Sequence, residues 1–215
     1  MSATTTRPYR GISADRRRTE RRAKLVEAGL EVIASKGAER ATVRDVCLAA
    51  GLTERYFYEA FPDRDALPVA VFDHVAGHAA GVIVEAVAAA PHDAHARARA
   101  AIAAFVDLVA DDPRRARVLL LGSLEDRGLQ RRRLQAVSEF ARLVRDQASD
   151  FYGVRGSPPL DAELTAHALV GALAQLLGAW LRGEIDVTRE RLVDHAAALF
   201  VAAAGIRSDG TESVR

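Results

Sequence analysis

TVRDVCLAAGLTERYFYEAF, residues 42–61, holds two short helical patterns joined at a glycine. Thr42 is a residue type that caps helix N-termini, and Asp45 three positions on makes a variant of the capping box. Val43, Val46, Cys47 and Ala50 then recur at helical spacing and form one apolar stripe. Gly51 breaks that helix. A second one is expected from Thr53 to about Ala60, with Pro62 closing it. In this second helix Phe57 and Phe61 are four apart and share a face, with Leu52 placed to pack beneath them. Thr53, Arg55, Tyr56 and Glu59 fall on the remaining faces, and Tyr58 lies between them. Helix, tight glycine turn and second helix make the helix-turn-helix plan, in which the second helix enters the major groove of DNA. The aromatic cluster therefore divides: phenylalanines inward to a small core, tyrosines outward.

On the N-terminal side, a helix is expected from about Asp15 to Lys36, ended by Gly37. Leu25, Ala28 and Val32 share one face, with Val26, Leu30 and Ile33 beside it. Between Arg7 and Lys24 stand eight basic residues against two acidic ones, leading straight into this helix. Residues 1–12 are expected to be a disordered basic arm. Such an arm follows the DNA backbone and makes binding salt-dependent. The residues expected at DNA are Arg16, Arg17, Arg18, Thr42, Arg44, Thr53, Arg55, Tyr56, Tyr58 and Arg64. Arginine forks grip phosphate or guanine, tyrosine hydroxyls reach phosphate oxygens, and a helix N-terminus at Thr42 favours an anion.

On the C-terminal side the 3.6-residue periodicity continues, without β-type alternation, so the fold class is all-α. Helices are expected from about 63 or 65 to Ala90, with Pro68 near the first turn, then 94–110, 113–122, 126–152, 161–182 and 189–204. Asp112-Pro113 reads as an N-cap followed by proline, GVRGSPP at 153–159 as a loop, Thr188 as an N-cap and Gly205 as a stop. The helix-turn-helix domain is placed at 13–62, a larger helical domain at 63–205 and a disordered tail at 206–215.

The 215 residues are 49% hydrophobic and 27% charged, the balance of an ordinary globular protein. A net charge of +1 means that a nucleic-acid partner must be argued from local charge alone. A single cysteine, Cys47, excludes an internal disulfide framework. With no apolar run at the N-terminus and no uninterrupted apolar span expected, the expected location is the cytoplasm. His74 and His78 are spaced i, i+4 as in zinc sites, and His92 and His95 follow, but neither pair has a cysteine or carboxylate set beside it. No metal and no cofactor are expected. Ser123, Ser138 and Ser149 lack a nucleophile-elbow context. The alternative to a DNA-binding protein is an all-helical enzyme or metal-binding protein with an incidental helix-turn-helix. A DNA binder with no ligand is a further one.

The stretch TVRDVCLAAGLTERYFYEAFPDRDAL, residues 42–67, resembles the TetR family of bacterial transcriptional regulators. Thr42, Ala50-Gly51, Tyr58, Phe61, Arg64 and Leu67 carry the likeness. Arg55, Tyr56, Glu59 and Arg64 depart from the usual residues, so the operator sequence is not readable by analogy. The resemblance implies a homodimeric repressor of a palindromic operator, with an N-terminal DNA-binding domain and a ligand-binding body, released from DNA by a small molecule. In that body Phe72, His78, Phe105, Phe140, Leu143, Gln147, His167, Gln175 and Trp180 are the candidates to line a ligand site. Leu169, Leu173 and Leu176 in one helix and Leu192, Ala196, Leu199 and Phe200 in the next are expected to meet their copies across a two-fold axis.

Overall fold

A computed structural model describes residues 14–121, 127–152 and 159–204. Expectations for residues 1–13, Gly205 and the tail, and most of the 153–159 loop lie outside these residues, as does the side chain of Gln147. The described residues form helices only: α1 (Ala14–Lys36), α2 (Val43–Ala50), α3 (Glu54–Ala60), α4 (Ala66–Ala89), α5 (Ala94–Asp111), α6 (Pro113–Ala116), a π-turn (Arg117–Leu121), α7 (Arg127–Tyr152), α8 (Pro159–Leu181) and α9 (Arg189–Ala204).

The local signals act as expected. Gly37 takes φ +86° after α1, and Gly51 takes φ +63° after α2, a left-handed backbone that favours glycine. Thr42 caps α2: its Oγ1 accepts from the Asp45 N–H at 3.1 Å, and the Asp45 carboxylate accepts from the Thr42 N–H at 3.3 Å. Asp112 caps α6 ahead of Pro113, and Thr188 accepts from the Arg191 N–H at the start of α9.

Leu25, Ile33, Val46, Cys47, Phe57 and Phe61 form the head core, and the first half of α4 adds Leu67, Val71, Phe72 and Val75. The head is therefore built on α4 rather than merely joined to it. Gly29 permits this approach, because a Cβ there would lie 2.9 Å from Val71 Cγ2. A second core joins α5, α8 and α9 through Ile102, Val106, Leu177, Leu192, Val193, Ala196 and Ala197. A third, smaller one links Ala79 of α4 with Leu108, Val109 and Ala116.

Where one helix over 113–122 was expected, α6 ends after four residues and a π-turn follows. Val118 of that turn is buried in the head core, while Leu120 packs against the two body cores. The Arg133 guanidinium donates to the Val118 carbonyl at 2.9 Å. A wider turn lets neighbouring residues reach cores that a regular α-turn would not serve together, and no local sequence signal encodes that demand. The same corner holds α1: Arg114 pairs with Glu27 at 3.4 Å and Glu31 at 3.1 Å, and Arg117 donates to the Ala34 carbonyl at 2.6 Å.

Candidate nucleic-acid interface

The head core fixes the orientation of α3. Phe57 is 0% exposed, with Phe61 against it at a ring-centroid distance of 5.2 Å. Three arginines of α1 lock the helix from outside: Arg18 donates to the Glu59 carbonyl at 3.0 Å, Arg21 stacks on the Tyr56 ring at 4.5 Å, and Arg22 lies over Phe61 at 5.2 Å. With one face buried and one covered, α3 presents Thr53, Arg55 and Tyr58 to solvent. The Arg55 side chain is 84% exposed and Tyr58 is 57% exposed. Thr53 starts the helix without using its hydroxyl as a cap.

The sequence-derived DNA residues thus separate into groups. Arg16, Arg17, Arg44, Thr53, Arg55 and Tyr58 are exposed. Arg55 is pre-paired with Glu59 at 3.0 Å, so engaging DNA means exchanging that partner. Tyr56, expected to face outward with Tyr58, is half-buried beneath Arg21, because residues 56 and 58 point to different sides of so short a helix. Arg18 spends its guanidinium on α3. Arg64, expected at DNA, is exposed and clamps the α1–α2 loop, donating to the carbonyls of Ala38, Glu39 and Ala41. Thr42 has both its N–H and its hydroxyl committed to Asp45, which leaves Arg44 as the exposed cation of that helix start. Sequence reasoning did not single out Leu48, which is 82% exposed on α2, nor the packing role of Arg21 and Arg22. Their spacing from Tyr56 and Phe61 is visible only once α1 is laid across α3.

Asp45 also accepts from Lys36 at 2.8 Å, tying the end of α1 to the start of α2. The Lys36 bond first, and then those from Thr42, hold its carboxyl at about 2, below its ordinary value. A depressed carboxylate stabilises the fold above its unfolded pKa and loses that contribution as pH falls through the folded one. Asp45→Asn is accordingly expected to lower the melting temperature at neutral pH. The difference from the parent should shrink as pH falls from about 4 to about 2. A melting difference independent of pH would show that the charge has no part in it. Thr42→Ala, which removes the cap itself, should cost about 1 kcal/mol.

In the body, Phe105 of α5 and Phe140 of α7 meet at 6.3 Å between centroids, and each is half-buried. His167 of α8 contacts Ser138 of α7 at 3.2 Å through Nε2 and the Glu163 carbonyl at 2.9 Å through Nδ1. The other expected ligand residues scatter. Phe72 lies in the head core under Arg132, at 5.7 Å. Trp180 packs on the core of α5 and α9 and donates to the Val187 carbonyl at 2.9 Å. His78, Leu143 and Gln175 are exposed.

The expected dimer stripes need correction. Leu192 and Ala196 are buried inside the chain against α5, and Leu173, Leu176 and Phe200 pack on that same core, so these faces are already occupied. Leu169 is half-buried, and Leu199 is half exposed. The uncovered side of α8 is the opposite one, bearing Leu164, Ala168, Ala172 and Gln175. Two described helices are long and apolar enough to cross a membrane by length and composition alone, a property that core helices share. The window in α4 is 44% buried, but the one at Ala162–Leu181, with mean hydropathy 1.5, is only 17% buried within the chain.

Residues 25–71 match the model of a family described as bacterial regulatory proteins, tetR family. No curated protein matches the chain. Among solved structures it is similar to the fatty acid degradation regulator FadR from Bacillus halodurans (TM-score 0.70, 18% identity, 84% of this chain and 94% of that one). It is also similar to FadR from Bacillus subtilis in complex with stearoyl-CoA (0.72, 18%, 86% and 99%). A TetR-like transcriptional regulator from Rhodococcus sp. RHA1 aligns with TM-score 0.60 at 22% identity over 86% of this chain and 93% of that one. The fold is that of TetR-type regulators, with an N-terminal helix-turn-helix domain and a larger helical C-terminal domain.

Proposed function

We propose that this chain, with its TetR-type fold, is a cytoplasmic transcriptional regulator, not an enzyme. It binds a palindromic operator as a homodimer, represses the genes behind it, and is released by a small molecule entering the body. The observation that carries the DNA reading is the geometry of α3. Its inner face is anchored by Phe57 and Phe61, and its outer face offers Thr53, Arg55 and Tyr58 on an otherwise immobilised helix. Pre-organised donors on a helix of this motif are what base-edge and phosphate contacts require.

Release rests on population shift: an effector that fits better when the two heads are splayed draws the protein away from its DNA-fitting form. The Phe105–Phe140 pair supplies apolar surface, and the Ser138–His167 pair supplies polar groups at the α7–α8 seam. Because one similar structure holds stearoyl-CoA, that compound is the first effector to try.

The test is binding to the DNA upstream of the chain's own gene, or to sequences selected from a random library, at two salt concentrations. Specific binding that weakens with salt is expected. Arg55→Ala should cost about 1–3 kcal/mol, roughly 5- to 150-fold, and relax base preference at one position. Tyr58→Phe should weaken binding uniformly across sequences. Absence of any sequence-selective binding would sink the reading. Added stearoyl-CoA that leaves affinity unchanged would remove that compound as effector, and the DNA reading would stand.

A further inference from the structure

α4 changes partners halfway along. Its residues up to Ala76 belong to the head core, and Ala79 belongs to a core of the body. On its other side, across this junction, His74, Gly77 and His78 are all exposed. The i, i+4 spacing sets the two histidines one above the other on adjacent turns, with Cβ atoms about 6 Å apart. No described group bonds or pairs with either imidazole. Nothing lies within 4 Å of where a Cβ would stand at Gly77 or Gly81, so the helix surface around the pair is open. Asp73 does not compete for the same space, since it is held by Arg132 at 2.5 Å.

We infer that His74 and His78 form a binding site for a divalent transition metal, a two-imidazole chelate that straddles the junction of α4 between head and body. Two imidazoles at this spacing on one helix face can reach the same ion, as the histidine pair of helical zinc motifs does beside its further ligands. Imidazole nitrogen selects zinc, nickel and copper over magnesium and calcium. Among the described residues no group of three or more histidine, cysteine, aspartate and glutamate side chains surrounds the pair. Water therefore fills the remaining positions, and the ion exchanges with solvent. A bound ion closes a ring over the turn containing Gly77, a weak helix former.

The experiment needs neither DNA nor an effector, so its outcome is separate from that of the regulatory reading. The untagged full-length chain is titrated with Ni(II) and then Zn(II) by calorimetry, with melting curves recorded in parallel. One saturable ion per chain and a raised melting temperature are expected. His74→Ala and His78→Ala should each bind at least about tenfold more weakly. A His92→Ala, His95→Ala double variant should bind like the parent. Both substituted positions are exposed, so the metal-free variants should melt as the parent does. No saturable binding, binding that survives either single substitution, or binding lost in the His92, His95 variant would overturn the site.

Discussion

Phe57→Ala is expected to destabilise the protein by about 3–5 kcal/mol, enough to unfold the head at moderate temperature. The ring is 0% exposed, sits beside Phe61 and Tyr58, and helps hold α3 against α1 and α2. Phe57 is fully buried within the head core, so its removal leaves a cavity there. Operator binding should vanish with the fold, and circular dichroism should show the loss as one transition that includes α4, because the first half of that helix shares the core. The neighbouring Tyr58→Phe keeps the edge contact with Phe57 at 5.4 Å and should leave the melting temperature nearly unchanged while weakening DNA binding. The same outcome for both variants would mean that the inward and outward faces of α3 are wrongly assigned.

If the proposed homodimer closes over the bare side of α8, Ala172→Glu is expected to convert it to a monomer. Ala172 is exposed within the chain, on the bare side of α8, so a carboxylate there leaves the subunit fold intact. If a second copy covers that face, the two-fold axis buries two such carboxylates. An uncompensated buried charge costs about 3–5 kcal/mol, more than 100-fold in the dimerisation constant. Sedimentation should register the dissociation, and affinity for a full palindrome should fall toward that for a half-site. Leu192→Glu serves as the contrast: that side chain lies inside the core of α5, α8 and α9, and its replacement should unfold the body rather than separate subunits. A stable dimer of the Ala172→Glu protein would move the interface elsewhere.

These two variants mark the boundary between what residues announce and what packing decides. Thr42 with Asp45, Gly37, Gly51, Asp112-Pro113 and Thr188 determined where helices begin and end, because caps and left-handed turns act within a few residues of chain. The four-residue spacing of Phe57 and Phe61 likewise determined the inner face of α3, since one short helix with two phenylalanines on one side has a single way to bury them. The tertiary structure alone decided that Arg18, Arg21 and Arg22 hold α3 and that Arg64 clamps a loop. An arginine's partner depends on which helix crosses it. It also decided which side of α8 faces inward. That helix is apolar on most sides, so its periodicity names no preferred face, and the choice falls to α7, α9 and the core shared with α5, which cover the rest and leave Leu164, Ala168 and Ala172 bare.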